Sequence, residues 1–153
     1  MTDQTIPAIP EAAADELSIV REFAAPRDVV WRFFSEPELL ARWFGPHSVH
    51  VNAAETVIQG YPGGRWDVTM LDNASDERYP VSARLSFFVP PAYLQGEDAS
   101  DSSYLRVWLE EIDTDHTRLT MLQGPFTPEF MELTRVGWLE SFEKVDAILV
   151  AGV

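Results

Sequence analysis

The sequence TPEFMELTRVGWLESFEKVDAILV, from Thr127 to Val150, predicts one long helix. Thr127 is a suitable N-cap, and Pro128 fits the first helical turn, where a backbone N–H would have no intrahelical partner. Apolar residues recur three and four positions apart, which places their side chains on one face of a helix. The members of this face are Phe130, Leu133, Gly137, Phe142, Val145, Ile148 and Leu149. Because such a face must be covered, the preceding chain should supply the cover.

Gly137 stands inside this helix, where a glycine costs about 1 kcal/mol relative to alanine. We therefore expect another part of the chain to approach the helix closely at Gly137. Residues 142–149 are expected to anchor the helix in solid core. Residues 130–141 either extend that core or border a cavity, and we favour the cavity.

The chain before the helix predicts an antiparallel sheet. Residues 17–23 alternate between apolar and polar side chains, as a strand with one buried face does. Two short helices follow, from 26 to 35 and from 37 to about 45. Further strands are predicted at 47–58, 65–71, 79–89, 93–94, 104–112 and 117–123, and residues 95–103 are predicted to be a loop. A sheet that is apolar on one face needs a cover, so we predict an α+β fold in which about six to seven strands curve around the C-terminal helix.

Composition limits the function classes. The 153 residues include 11 Lys plus Arg and 25 Asp plus Glu, so the net charge is −14. This charge disfavours binding to nucleic acid and to anionic lipid surfaces. The absence of cysteine excludes disulfides and thiol catalysis. No apolar run is long enough for membrane insertion and no leader sequence is visible, so we expect a cytoplasmic protein with a flexible arm at 1–15 and one domain at 16–153.

Several short motifs carry a family resemblance. They are Ala25-Pro26, Val30-Trp31, Pro37-Glu38, Arg42-Trp43-Phe44-Gly45-Pro46, Gly63-Gly64-Arg65-Trp66 and Gly137-Trp138. With the order of elements, they resemble the helix-grip fold of the START-like (SRPBCC) superfamily, which includes Bet v 1-type proteins. Within it, the chain resembles the activator of Hsp90 ATPase homologue family over roughly residues 17–151. The resemblance implies an elongated, mostly apolar cavity between the sheet and the last helix, and no shared catalytic residue.

The inward faces of the strands and of the last helix supply the candidate cavity residues. Tryptophans on these faces either pack in the core or line the mouth of the cavity. Small residues among large ones leave volume, and methionine adapts its shape to different ligands. The candidates are Trp43, Trp66, Val68, Met70, Ala83, Leu85, Phe87, Val107, Leu109, Met121, Phe130, Leu133, Thr134, Trp138 and Ser141.

Two polar residues complete the candidate set. His47 follows the R-W-F-G-P motif and is a candidate for the cavity mouth. Glu55 shares the alternation of His47 and is either a half-buried acid or base, or a solvated side chain. His47 and His50 lie three apart on a predicted strand, on opposite faces, so they do not form a shared metal site. We predict no metal and no cofactor.

These observations favour a binding protein that holds a small hydrophobic ligand: a lipid, a fatty acyl chain or a polycyclic aromatic compound. One alternative is a polyketide cyclase or aromatase, in which Glu55, His47 and Arg65 would converge inside the cavity. A second alternative is an Hsp90-associated interaction module. Trp108 falls on the outward face of its strand. It covers the convex surface, marks a bulge that shifts the register, or serves as a contact in a homodimer.

Overall fold

The computed structural model describes residues 4–153 and shows an antiparallel sheet curled around one long helix. The strand order is β1-β8-β7-β6-β5-β4-β2, and β3 also pairs with β4. This arrangement confirms the predicted α+β helix-grip fold. The elements are β1 (Leu17–Phe23), α1 (Arg27–Ser35), α2 (Pro37–Leu40), β2 (Val49–Val51), β3 (Val57–Ile58), β4 (Arg65–Asp72), β5 (Arg78–Val89), β6 (Tyr93–Asp98), β7 (Tyr104–Asp113), β8 (His116–Gly124) and α3 (Pro128–Ala151).

Two strands differ from their predicted extents. The strand predicted at 47–58 is broken by a 3₁₀ turn at Ala53–Glu55, which separates β2 from β3. The strand predicted at 93–94 continues to Asp98, through residues predicted to be a loop. Its polar end pairs with both β5 and β7. Backbone hydrogen bonds to two neighbours hold these residues in a strand, although their side chains show no apolar alternation.

The C-terminal half of α3 is fixed in a cluster of aromatic side chains. Phe142 is fully buried. Its ring stacks on those of Trp43 and Trp138, with centroids 6.1 and 5.7 Å apart, and meets Phe23 of β1 edge-on at 5.5 Å. Offset stacks and edge-on contacts are the favoured arrangements of aromatic pairs. This end of the helix is therefore solid core, as expected.

An ion pair adds to this attachment. Arg21 of β1 donates to both carboxylate oxygens of Asp146 on α3. The guanidinium also lies 4.9 Å from the ring centroid of Phe23 and 5.8 Å from that of Phe142. A bidentate pair that rests on two rings fixes the helix in direction as well as in position.

A β-bulge moves one predicted cavity residue to the other face of the sheet. The pairing of β5 with β6 shifts register between Leu85 and Phe87. An extra residue in a strand reverses the alternation that follows it. The inward position predicted for Phe87 is therefore corrected: its ring packs on the outer face, edge-on to Tyr93 at 5.7 Å.

The outer face carries a small apolar cluster, which we call the outer patch. Its buried members are Tyr93, Trp108 and Leu122, with Phe87 and Val89 packed beside them. β7 pairs with β8 in regular register from Tyr104 to Glu111, so no bulge accounts for the outward position of Trp108.

The N-terminal arm lies against this outer face. The side-chain amide of Gln4 donates to the carbonyl of Ser86 and accepts from the N–H of Phe88, both at 2.8 Å. The indole N–H of Trp108 donates to the carbonyl of Pro7 at 2.8 Å. Gln4 thus satisfies two backbone groups at the bulge, and the arm covers Trp108. Residues 1–3 of the arm lie outside the described residues, and its flexibility and the domain boundary at 16 stay predictions.

Candidate ligand-binding cavity

A cavity of about 450 Å³ lies between the sheet and the N-terminal half of α3. The sheet contributes Trp66, Met70, Val81, Ala83, Leu85, Leu94, Gly96 and Leu105, and α3 contributes Leu133, Thr134, Gly137, Trp138 and Ser141. Phe34, Phe44, Gly45 and Pro46 line it from α1 and the segment before β2. Asp98, Ser103, Tyr104 and Gln123 form a polar end.

Three aromatic rings form one wall of the cavity. Phe44 meets Trp66 and Trp138 edge-on, with centroids 5.2 and 5.7 Å apart. The indole N–H of Trp138 donates to Oε1 of Gln123 at 2.8 Å, and that of Trp66 to the carbonyl of Phe34 at 3.4 Å. Because both N–H groups have partners in the protein, these indoles offer the cavity apolar surface and no hydrogen-bond donor.

Residues 44–47, which we call the clamp loop, are tied to α3 by hydrogen bonds. The N–H of Gly45 donates to the hydroxyl of Ser141 at 3.1 Å. The ammonium of Lys144 donates to the carbonyl of Pro46 at 3.1 Å. Burial lowers the pKa of Lys144, because the charged form loses solvation beside the loop. These bonds hold the loop against the helix at the edge of the cavity.

The backbone of Gly45 explains the glycine of the R-W-F-G-P motif. Its φ is +100°, and an added Cβ would lie 2.5 Å from Cγ2 of Val49. Only glycine fits without strain. Gly137 is different: an added Cβ would meet only Cδ of Pro46, at 3.9 Å. The expected close approach of another part of the chain at Gly137 is therefore corrected, because the helix borders the cavity there.

The polar end is built around Tyr104. Its hydroxyl donates to the carboxylate of Glu16, just before β1. Burial, reinforced by this bond, raises the pKa of Tyr104 to about 12. The pKa of Glu16 is lowered, chiefly because the backbone N–H of Ala13 donates to it at 2.7 Å. Tyr104 is thus a neutral phenol whose proton is committed to Glu16.

The sequence profile of the activator of Hsp90 ATPase homolog 1-like family matches residues 24–150. The chain belongs to this family. The matched range includes all the motifs that carry the family resemblance, from Ala25-Pro26 to Gly137-Trp138.

Solved structures of the helix-grip type agree in fold. A protein of Nitrosomonas europaea is 24% identical, with 91% of this chain and 97% of that chain covered and a TM-score of 0.79. A protein of Rhodobacter sphaeroides is 21% identical, with 95% and 99% covered and a TM-score of 0.79. The AHSA1 protein of Silicibacter pomeroyi is 24% identical, with 89% and 98% covered and a TM-score of 0.74. At these identities the likeness shows the fold alone. No functionally curated protein shows significant sequence similarity to the chain.

In this family member, one group of the predicted cavity residues lies together around the cavity. All of them come from β4, β5 or α3, on the faces assigned by alternation and helical spacing. They are Trp66, Met70, Ala83, Leu85, Leu133, Thr134, Trp138 and Ser141.

A second group lies in the packed core instead. The indole N–H of Trp43 donates to the carbonyl of Phe33 at 2.8 Å, inside the aromatic cluster around Phe142. Side chains of the central strands pack against that cluster and do not reach the cavity. These strand residues are Val68, Val107, Leu109 and Met121. They point inward as predicted, but they are buried in the core cluster that also contains side chains of α1, such as Phe33, and so do not line the cavity.

The predicted polar residues and Phe130 lie at the surface. Glu55 is part of the 3₁₀ turn and pairs with Arg78 at 3.0 Å, since the predicted strand is broken there. Phe130 is 63% exposed in the first turn of α3. None of these side chains lines the cavity.

His47 is an exposed member of the clamp loop. Its backbone N–H donates to Oε1 of Glu140 at 2.9 Å, and its imidazole Nε2 lies 3.4 Å from Glu143. Arg65 pairs with Asp67. The acid–base set of the cyclase alternative is therefore not brought together: Glu55, His47 and Arg65 each engage different partners outside the cavity.

The polar end and the clamp loop line the cavity but are absent from the residues predicted from the sequence. Gln123 carried a usable signal, because it continues the inward alternation of Leu119 and Met121. Asp98 and Ser103 carry no such signal, because residues 95–103 are predicted to be a loop. Tyr104 begins the strand predicted at 104–112, but it alternates with the inward residues Leu105 and Val107 and is therefore expected to point outward. The cavity residues absent from the predicted set are Phe34, Phe44, Gly45, Pro46, Val81, Leu94, Gly96, Asp98, Ser103, Tyr104, Leu105, Gln123 and Gly137.

Within residues 4–153, no group of three or more His, Asp or Glu side chains has the geometry to hold a metal ion. In the same range, no helix combines the length and the apolar character needed to cross a membrane.

Proposed function

We propose that this chain binds a small, mostly apolar molecule in the cavity between its sheet and α3. The helix-grip fold of the family is of a ligand-binding type in general. The observation that carries the proposal is the cavity of about 450 Å³, walled by Phe44, Trp66 and Trp138. Known small-molecule sites occupy about 300–1,000 Å³ and are lined mostly by apolar and aromatic side chains.

The mouth of the cavity supports the same proposal. Leu133 lines the cavity and is 69% exposed, and Phe130 is exposed one turn before it on α3. Exposed apolar side chains grouped beside a cavity are typical of ligand entry sites. A ligand would cover this surface and gain about 25 cal/mol for each Å² of apolar area removed from water.

Binding can be tested with the neutral dye Nile red, whose emission rises in apolar surroundings. The variant Ala83→Phe places a ring in the cavity, because Ala83 lines it from β5. The matched control is Ala147→Phe, at an exposed position of α3 away from the cavity. We expect the wild-type protein and Ala147→Phe to bind the dye with equal affinity. Ala83→Phe should bind at least about tenfold more weakly, a difference of about 1.4 kcal/mol.

Thermal unfolding of both variants shows whether they are folded. If Ala83→Phe is folded and binds the dye as tightly as the control, the dye does not occupy this cavity and the proposal is contradicted. If the wild-type protein gives no saturable signal, the proposal is contradicted as well.

A further inference from the structure

We propose that the ligand of this cavity presents hydrogen-bond donors, as an alcohol or an amine, on an apolar body, and carries no free carboxylate or phosphate. This inference rests on the proposed function and narrows it to a chemical class. Its basis is the inventory of charges and of unused hydrogen-bonding groups among the residues that line the cavity.

The charges among the residues that line the cavity disfavour an anionic ligand. Among the described residues that line the cavity, Asp98 is the one with a charged side chain. No lysine or arginine belongs to the lining. Lys144, whose amine lies beside the clamp loop, is held by the carbonyl of Pro46. An anionic head group would thus meet a carboxylate and no cation, in a protein of net charge −14.

The hydroxyl groups of the lining are committed as donors. Thr134 donates to the carbonyl of Phe130 at 2.7 Å, and Ser141 donates to that of Gly137 at 2.8 Å. Both bonds run back along α3. A hydroxyl that gives its proton to the backbone retains lone pairs, so Thr134 can only accept from a ligand.

At the polar end too, the hydroxyl groups donate their protons to other groups of the protein. Ser103 donates to the carboxylate of Asp101 at 2.7 Å, and Tyr104 donates to that of Glu16. Asp98 accepts from the N–H and the hydroxyl of Ser100 through Oδ1, at 2.8 and 2.6 Å. Its other oxygen, Oδ2, accepts no hydrogen bond from the described residues. The polar end therefore offers acceptors to the cavity.

Gln123, in contrast, offers a hydrogen-bond donor to the cavity. Its Oε1 accepts from the indole N–H of Trp138 at 2.8 Å, which fixes the orientation of the amide. The Nε2 group makes no hydrogen bond to the described residues and remains available as a donor. One amide donor beside several acceptors suits a hydroxyl, which donates and accepts at once, or a protonated amine, which donates only. A carboxylate brings acceptors alone and would leave the lining acceptors unpaired.

The test compares three amphiphiles of equal chain length, dodecanol, dodecylamine and dodecanoate, as displacers of Nile red. Dodecanol is used below its solubility limit, and the other two are used below their micelle concentrations. We expect the alcohol and the amine to displace the dye from wild-type protein. Dodecanoate should require at least about tenfold higher concentration. Direct binding of the amine, measured by isothermal titration calorimetry, should be lost in Ala83→Phe, which separates binding in the cavity from attraction to the acidic surface.

Asp98→Asn tests the charge directly. We expect it to weaken displacement by the amine and to strengthen displacement by dodecanoate, so that the ratio of the two affinities falls by about tenfold or more. Asp115→Asn, in the exposed turn between β7 and β8, makes the same change in net charge and should leave the ratio unaltered.

Failure of the head-group inference is distinguishable from failure of the proposed function. If dodecanoate displaces the dye as well as the amine does, the inference about the head group is overturned while binding in the cavity stands. If Asp98→Asn and Asp115→Asn change the ratio equally, the role of Asp98 is overturned. If none of the three amphiphiles displaces a dye that does bind, the head-group inference is also overturned, whereas absence of dye binding overturns the proposed function itself.

Discussion

The two ends of α3 meet the same sheet in different ways. Toward the C-terminus, Phe142, Val145 and Ile148 are buried against the strands, and Asp146 pairs with Arg21. Toward the N-terminus, Leu133 is largely exposed and borders open volume. The difference shows that one end attaches the helix, so that the other end can form a cavity wall without being held by core packing.

Trp138 marks the boundary between these ends. Its ring stacks on Phe142 on the core side and meets Phe44 edge-on on the cavity side. Its N–H is fixed by Gln123. Trp138, whose indole N–H is hydrogen-bonded within the protein, therefore closes the core on one side. On its other side it forms part of the cavity wall.

The largest expected effect breaks the attached end. Replacing Phe142 with alanine removes a fully buried ring that contacts Phe23, Trp43 and Trp138, so the free energy of unfolding should fall by about 3–5 kcal/mol. Leu133→Ala is the control at the cavity end and should cost about 0.5 kcal/mol or less, because that side chain is already exposed. Denaturant unfolding measures both. Equal losses would show that the two ends are attached alike.

The next effect concerns the clamp loop. Gly45→Ala forces a side chain into a positive φ and against Val49, so the free energy of unfolding should fall by about 2–4 kcal/mol. Gly63→Ala is the control for backbone strain alone. Gly63 has a φ of +88°, and nothing lies within 4 Å of an added Cβ, so this variant should lose about 1–2 kcal/mol. Equal losses in denaturant unfolding would mean that the Val49 side chain moves aside.

The smallest effect has the opposite sign. Gly137→Ala adds a methyl group at ordinary contact distance from Pro46, so the better helix propensity of alanine should stabilise the protein by up to about 1 kcal/mol. Gly137→Leu reaches further and should weaken Nile red binding without loss of stability. A lower unfolding midpoint for the alanine variant would show that the cavity end of α3 is more tightly packed than its contacts indicate.

Most of the fold followed from the sequence because periodicity reports which side of an element is buried. The alternation along β1, β5 and β7 and the helical spacing of α3 placed the right face inward, except at Phe130 of α3 and at Phe87 of β5. Alternation failed at Phe87, because one extra residue at a bulge reverses every later position and leaves no mark in composition. It also missed most of β6, where pairing on both sides rather than side-chain burial holds the strand.

The cavity was harder to predict than the fold. An inward position on the sheet is read from alternation, but Val107 and Ala83 are both inward. Only the packing of the helices over the sheet decides that Val107 is core and that Ala83 lines the cavity. The polar end depends on contacts between residues distant in sequence, such as Glu16 with Tyr104. The expected cytoplasmic location, the homodimer and the association with Hsp90 stay predictions.

The N-terminal arm has a consequence for self-association. Because the arm is tethered to the sheet that it covers, it meets the outer patch at an effective concentration on the order of millimolar. A second molecule at micromolar concentration must compete with that local excess for Trp108, and for the backbone groups of Ser86 and Phe88 that Gln4 engages. The arm therefore occupies, from within the same molecule, the hydrophobic area on the convex face that a second copy would have to reach.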